Sequence, residues 1–203
     1  SLKLHQADIV EFVRYIGSGF KELATNRSIK FSIESECPGM NIWFDDTKMQ
    51  RILNNIYSNA FKFTPDGGLI STIVATEKKD EKIFVRIEIS DTGCGISEKD
   101  LNVIFDRFYQ SEPIPGVTGS GIGLHMVKEY VSLHNGKIEV HSKIGVGTTF
   151  LIYIPSDLKG DDSESKIPAM SPDVEEKVVY SDRKTILIVE DNVEFRRFLV
   201  EQL

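Results

Sequence analysis

The stretch that most restricts how this chain can fold runs from Asp46 to Thr64. Met49, Ile52, Leu53, Ile56, Tyr57 and Ala60 recur at three- and four-residue steps, which makes one apolar face of an amphipathic helix. Asp45 or Asp46 can cap its first turn, and Pro65 with Gly67-Gly68 ends it. Asn55, Asn59 and Lys62 stand at i, i+4 and i+7, so they line one stripe bordering the apolar face, whereas Asn54 points roughly the opposite way. Amide oxygens can ligate a hard cation such as Mg²⁺, which prefers oxygen and keeps several waters. A lysine ammonium can reach a phosphate. The stripe suggests Mg²⁺ with a phosphate; a core helix merely edged by polar residues is the plainer alternative.

The remaining composition sets bounds. The 203 residues suffice for one substantial core with material left over. Hydrophobic content of 40% and charged content of 27% are those of an ordinary globular protein. A net charge of -7 argues against nucleic acid or an anionic membrane as a general partner, yet allows a small anion held by local donors. No apolar run approaches the roughly 18 residues of a membrane span, and no basic-then-apolar leader opens the chain. Cys37 and Cys94 lie far apart and out of metal-ligand spacing, which fits a reduced, cytoplasmic-type domain. Ser1 and the abrupt end at Leu203 suggest a piece excised from a longer parent.

Residues 8–26 open with a short Asp8-Ile9-Val10 stretch and continue in a helical pattern striped by Phe12, Ile16, Phe20 and Leu23. Lys30 to Glu36 alternates with period two and reads as a half-exposed strand, and Asn41 to Phe44 as a second short one. Leu69 to Thr76 and Lys82 to Ser90 are longer strands about a charged hairpin turn, with Ile83, Val85, Ile87 and Ile89 on one face. The second runs into Asp91-Thr92-Gly93-Cys94-Gly95-Ile96, where glycines at a one-residue interval call for unusual backbone angles or close approach of a ligand. A carboxylate at that strand end can accept from an exocyclic amine and so select adenine; a turn cap is the other reading of Asp91.

Phe105 and Phe108 lie three apart and read as core anchors on one helical turn, with Arg107 projecting outward as a phosphate donor. Ser111 to Thr118, with two prolines and a glycine, reads as a loop and a candidate lid. Gly119-Ser120-Gly121-Ile122-Gly123-Leu124 opens a helix striped by Ile122, Met126, Val127, Tyr130 and Val131 and stopped by Asn135-Gly136. Backbone N–H groups at a glycine-rich helix start form an anion site. A loop rather than a strand precedes these glycines, so the dinucleotide-binding context fails. Lys137 to Ser142 and Thr148 to Ile154 are two final strands around the turn Gly145-Val146-Gly147-Thr148.

Four motifs thus occur in order: N-x-x-x-N-A-x-K, D-x-G-x-G, an F-x-x-F pair and G-x-G-x-G-L. Together, over about residues 8–155, they closely resemble the catalytic ATP-binding domain of sensor histidine kinases. That domain's superfamily includes type II topoisomerases, mismatch-repair ATPases and a heat-shock chaperone. The resemblance implies an α+β fold: a two-layer sandwich in which a mixed β-sheet is covered by helices on one face. It implies an ATP-dependent protein-histidine kinase function with ATP and Mg²⁺ as cofactors.

By matched position Asn59 is the main Mg²⁺ ligand with Asn55 beside it. Lys62 meets the phosphates and Phe63 packs near the base. Asp91 bonds the adenine amine in a pocket shaped by Gly93, Gly95 and Ile96. Phe105 and Phe108 hold the lid base, Arg107 reaches toward the γ-phosphate, Gly119, Gly121, Gly123 and Leu124 cradle the phosphates, and Thr148 lies on the adenine side.

The family phosphorylates a histidine in an H-E-x-x-x-P motif on a separate dimerisation domain, and nothing here matches that motif. His5, His125, His134 and His141 read as structural or solvent-facing. The implied partners are therefore the histidine-bearing dimerisation domain of a homodimeric parent, which in such kinases often spans a membrane, and a receiver domain. An ATPase of the topoisomerase or chaperone branch needs a glutamate on the Asn-bearing helix, and residues 46–64 contain none. A nucleotide-dependent docking module without transfer activity is the alternative reading. Residues 156–184 are polar and acid-leaning, as in a linker. Residues 185–203 place the apolar run Ile186 to Val189 before Glu190-Asp191, which is similar to the truncated opening of a response-regulator receiver domain.

Overall fold

A computed structural model describes residues 1–79, 81–109 and 121–159. The linker and receiver-like stretch lie outside them apart from residues 156–159. In chain order the elements are β1 (His5–Asp8), α1 (Ile9–Ser18), α2 (Lys21–Asn26), β2 (Lys30–Ser35), β3 (Asn41–Phe44), α3 (Asp46–Phe63) and β4 (Leu69–Lys79). There follow β5 (Lys82–Asp91), α4 (Glu98–Leu101), α5 (Gly123–Leu133), β6 (Lys137–Lys143) and β7 (Gly147–Pro155).

Five strands make one sheet in the order β2-β4-β5-β7-β6. β2 and β4 run parallel and every other neighbouring pair antiparallel, so the sheet is mixed. The alternation seen in the sequence becomes rows across the strands. Val74 pairs with Ile87, Ile87 with Ile152 and Ile152 with Ile138. These side chains share one core with Val13 of α1, Ile52, Leu53 and Ile56 of α3, and Val127 and Val131 of α5. Burying each such aliphatic side chain stabilises the fold by about 1.5–3 kcal/mol. The other sheet face is polar: Arg86 reaches Glu88, Glu77 and Glu36, and Lys79 Nζ sits 4.0 Å above the Tyr153 ring. The result is the two-layer α/β sandwich implied above.

α3 is the central helix, with Met49, Ile52, Leu53, Ile56 and Tyr57 fully buried. The Tyr57 hydroxyl meets Thr72 of β4 at 2.9 Å. Asp45 is the N-cap, its Oδ1 accepting from Lys48 N at 2.9 Å. The helix stops where Thr64 turns extended before Pro65.

Three local expectations are corrected. The helical pattern of residues 8–26 is two helices, because the chain turns at Gly19, whose N–H donates back to Ile16 O. Asp8 caps the first, and Ile9 and Val10 form its opening turn. Phe20 stacks on Phe61, while Leu23 is left exposed. The β4–β5 hairpin is tighter than the charge run suggests, since β4 continues to Lys79 and β5 starts at Lys82. Ile83, at that open end, is exposed although Val85, Ile87 and Ile89 are buried. β1, which has no apolar alternation to announce it, pairs with β3 in a separate two-stranded ribbon.

Candidate functional site

The end of β5 forms one wall. Asp91 is the Cα partner of Thr148 on β7 and of Ile70 on β4, so the sheet register fixes its place. Its Oδ1 accepts from Gly93 N at 2.8 Å. Burial pushes the carboxyl up from the ordinary carboxylate range, while the backbone N–H groups of Gly93 and Thr148 pull it back. A Cβ at Gly93 would lie 2.7 Å from Asp91 Oδ1 and 2.7 Å from Phe63 O. Gly147, at φ +139°, lies so close that a Cβ would come within 1.9 Å of Asp91 O.

Gly95 (φ +74°) presses on Lys143, and Cys94 holds Gly145 N through its carbonyl at 2.8 Å. The Ser142 hydroxyl joins three pieces of this wall. It donates to Gly147 O at 2.8 Å, accepts from Ile96 N at 2.8 Å and meets Thr148 Oγ1 at 2.9 Å, which uses its single donor and both lone pairs.

The end of α3 forms the facing wall. Asn55, Asn59, Lys62 and Phe63 are all half-buried. Asn55 Nδ2 donates to Arg51 O at 2.7 Å, and its Oδ1 faces Gly123, where a Cβ would come within 2.4 Å. Asn59 follows one turn later. Lys62 Nζ lies 5.2 Å from the Phe63 ring centre, and Phe63 O accepts from Cys94 N at 3.4 Å. Arg27 secures this helix end: it donates to Phe61 O, donates to Thr64 O at 2.8 Å and pairs with Asp66 at 2.8 Å.

A cavity of about 420 Å³ opens between the walls, lined by Lys62, Phe63 and Gly93 with Thr64, Cys94 and Arg27 among others. Asn55, Asn59 and Asp91 are not among its lining residues. Buried Thr64 leaves its Oγ1 without a partner.

The third side is built from turns. α4 ends at Leu101, so Phe105 and Phe108 do not share a helical turn as expected, and they are not a pair of core anchors. Phe105 is half-buried, with its carbonyl 3.1 Å from His125 Nδ1, while Phe108 is 62% exposed. The cause is in the backbone. Phe108 adopts φ +66° and donates from its N–H to Gly121 O at 2.9 Å. Arg107, also exposed, stacks on the Phe108 ring at 4.9 Å. Gly121 (φ +68°) has no room for a Cβ, which would come within 2.7 Å of Phe108 C and Tyr109 O. Leu124, in the first turn of α5, packs against the core. Gly119 and the lid candidate of residues 111–118 lie outside the described residues.

The fold thus gathers the predicted residues into linked pairs: Phe63 with Gly93 and Asp91, Asp91 with Thr148, Asn55 with Gly123, and Phe108 with Gly121. Sequence reasoning missed Arg27, Ser142 and the role of Gly147. Only Gly147 left a signal, as a second glycine two residues after Gly145 and directly before a strand. Among the described residues no group of three or more His, Cys, Asp or Glu could hold a metal ion. No helix among them is long and apolar enough to cross a membrane.

Comparison with known proteins decides the family. Residues 44–158 match the model of the histidine kinase-, DNA gyrase B- and HSP90-like ATPases. The chain belongs to this family. Histidine kinase P4 of Formosa agariphila is 33% identical over 98% of this chain and 16% of its own length. Hybrid signal transduction histidine kinase D of Dictyostelium discoideum is 37% identical over 76% of this chain and 10% of its own. The chain therefore spans only a small part of the curated relatives it matches. The catalytic domain of histidine kinase ThkA superposes with a TM-score of 0.66 at 23% identity, covering 76% of this chain and 99% of that one, and it shares the fold. ThkA is also known in complex with response regulator protein TrrA. The chain carries an ATPase domain of the histidine kinase type, a kind of domain that binds ATP.

Proposed function

We propose that Mg²⁺-ATP binds between the end of α3, the Asp91 wall and the glycine turn before α5. The parent kinase then moves the γ-phosphoryl group to a histidine on a separate dimerisation domain. The observation that carries this reading is the double contact of one helix. At one end of the stripe Phe63 touches the turn beside Asp91, and at the other Asn55 Oδ1 faces Gly123. A ligand spanning the two would meet a carboxylate for an amine at one end and N–H donors for phosphates at the other.

The donor set fits the metal. With no acidic cluster among the described residues, the amide oxygens of Asn59 and Asn55 are the ligands on offer, and Mg²⁺ is commonly held by few protein groups plus substrate phosphates. When bound, the ion neutralises phosphate charge. Lys62 meets the phosphates, and Gly119, Gly121, Gly123 and Leu124 shape their cradle. Asp91 accepts from the adenine amine, with Gly93, Gly95, Ile96, Phe63 and Thr148 around the base. Phe105, Phe108 and Arg107 form the lid base, Arg107 on the γ-phosphate side. In transfer the bond from the γ-phosphorus to ADP breaks as a bond to a histidine nitrogen forms. This domain contributes positioning and charge neutralisation.

Residues 1–155 constitute this domain, residues 156–184 a linker and residues 185–203 the opening of a receiver domain, so that the parent is a hybrid kinase working as a homodimer. Two facts support the hybrid reading: the P4 alignment covers 98% of the chain and so enters the tail, and a hybrid kinase is among the relatives. The domain works on the cytoplasmic side, where its nucleotide is.

By itself the chain should bind nucleotide and turn over little. Asn59→Ala should abolish Mg²⁺-dependent ATP binding in calorimetry. Unchanged affinity would discredit the amide stripe as the metal site.

A further inference from the structure

His134 is fully buried, yet it lies at the far end of α5 from Gly123 and outside every motif assigned above. Its Nε2 accepts from Asp45 N at 3.0 Å. That fixes the tautomer, so Nδ1 carries the proton and donates to Tyr130 O at 2.7 Å. Asp45 is the N-cap of α3. The contact is one of three along an antiparallel helix pair. Asp45 meets His134, Arg51 donates to the Tyr130 hydroxyl at 3.3 Å, and Asn55 meets Gly123. From Asp45 to Asn55 is ten residues and from Gly123 to His134 eleven, so at about 1.5 Å per residue the spans are about 15 and about 16.5 Å. The two helices therefore stay in step from the buried end to the nucleotide end. Slippage at the buried end would drive Gly123 into Asn55 or away from it, and only 2.4 Å separates Asn55 Oδ1 from a Cβ position there.

α5 also ends rigidly at His134. Asn135, at φ 53°, donates to Ser132 O at 2.9 Å, and Gly136 donates to Val131 O at 3.0 Å, the double closure of a left-handed helix cap.

We propose that His134 is a positioning residue for nucleotide binding: its neutral imidazole pins the start of α3 to the end of α5 and so sets the spacing between Asn55 and the phosphate-side glycine turn. The inference rests on the nucleotide-site reading above. Protonation ends the pinning, because an imidazolium has no lone pair for Asp45 N. The charged groups facing the ring are the Asp45 carboxylate, itself paired with Lys48 at 2.6 Å and held by Lys3 N at 2.8 Å, and the Lys48 ammonium. Burial depresses the His134 pKa below its usual 6.5, against the pull of the Tyr130 carbonyl and Asp45. The unfolded chain therefore takes up the proton first. Stability is complete above about pH 6.5 and is lost as pH falls through the depressed value.

The test compares the 203-residue protein with His134→Leu and His134→Gln, whose amide oxygen can replace Nε2 as acceptor. At pH 7.5 His134→Leu should weaken Mg²⁺-ATP binding about tenfold, because the spacing between Asn55 and Gly123 is no longer held, and His134→Gln should stay within about twofold of wild type. Lowering the pH below about 6.5 until the folded protein's imidazole is protonated should weaken wild type more than His134→Gln; the terminal phosphate of ATP titrates in both and cancels. The Gly123 amide resonance should move in His134→Leu and hold in His134→Gln, with or without nucleotide. A folded His134→Leu with wild-type affinity overturns the proposal, as do superimposable pH profiles of wild type and His134→Gln. Wild type that binds no nucleotide overturns the site reading instead, and the Gly123 resonance then decides the role of His134 alone.

Discussion

The two sides of the cleft are made differently. On the Asp91 side every group is tied to a strand: ladder pairing sets Asp91 against Thr148, and Ser142 binds Ile96, Gly147 and Thr148 through one hydroxyl. On the Phe108 side the ties are backbone contacts between turns, chiefly Phe108 N to Gly121 O, and the proposed lid-base side chains of Arg107 and Phe108 stand in solvent. The contrast suits the two halves of a nucleotide. A base is recognised by a fixed surface, whereas a phosphate that must leave calls for a side that can open. The sheet side should therefore fail through stability, and the turn side through activity with little change in stability.

The sharpest way to break the comparison is Gly147→Ala. The new Cβ meets Asp91 O at 1.9 Å, against backbone rather than a yielding side chain, and φ +139° is itself closed to alanine. The expected loss is about 3 kcal/mol or more of unfolding free energy by urea titration, in the upper range for point substitutions. A loss under 1 kcal/mol would mean that this wall is not rigid.

What was legible beforehand follows the same division. The Asp91 wall and the α3 stripe could be read because their residues sit in periodic segments, where spacing maps directly to a face. Phe105 and Phe108 misled because three-residue spacing means one face only if the segment is helical, and the helix ends at Leu101. The positive φ of Phe108 answers a hydrogen bond to Gly121, a partner thirteen residues on that no local pattern reveals. Arg27 and Ser142 were invisible for a like reason: each is an ordinary polar residue until the fold brings distant carbonyls and N–H groups to it. The β2-β4-β5-β7-β6 order rests on such distant pairings too; individual strands and the two turn-linked pairs were readable, the other neighbours were not.

A smaller effect separates recognition from stability within the sheet wall. Burial holds the Asp91 carboxyl pKa above its ordinary 3.8, so the folded protein binds that proton more readily than the unfolded chain does. The sign is then fixed: Asp91 costs stability at neutral pH, and the cost fades as pH falls toward 4. Asp91→Asn should accordingly raise the Tm at pH 7, lose that advantage near pH 4, and weaken ATP binding because the acceptor charge proposed for the adenine amine is gone. A Tm gain that does not depend on pH would show that burial of charge is not its cause.

Phe108→Ala should have the smallest effect on stability and is the most direct probe of the turn side. The ring is 62% exposed and touches Arg107 across 4.9 Å, and an exposed cation–π contact stabilises by about 0.5–1 kcal/mol at most. What orders this corner is the Phe108 N–H bond to Gly121, which alanine keeps, and φ +66° strains phenylalanine and alanine alike. The Tm should fall by no more than a few degrees, and ATP affinity should change little because the Asp91 wall is untouched. The loss should appear instead as a slower transfer rate when a matched dimerisation domain is supplied as acceptor, and Phe108→Leu, which restores bulk without the ring, should recover only part of it. If Phe108→Ala reduces ATP affinity as strongly as Asp91→Asn does, the two sides are not separable and the base-side and phosphate-side walls act as one unit.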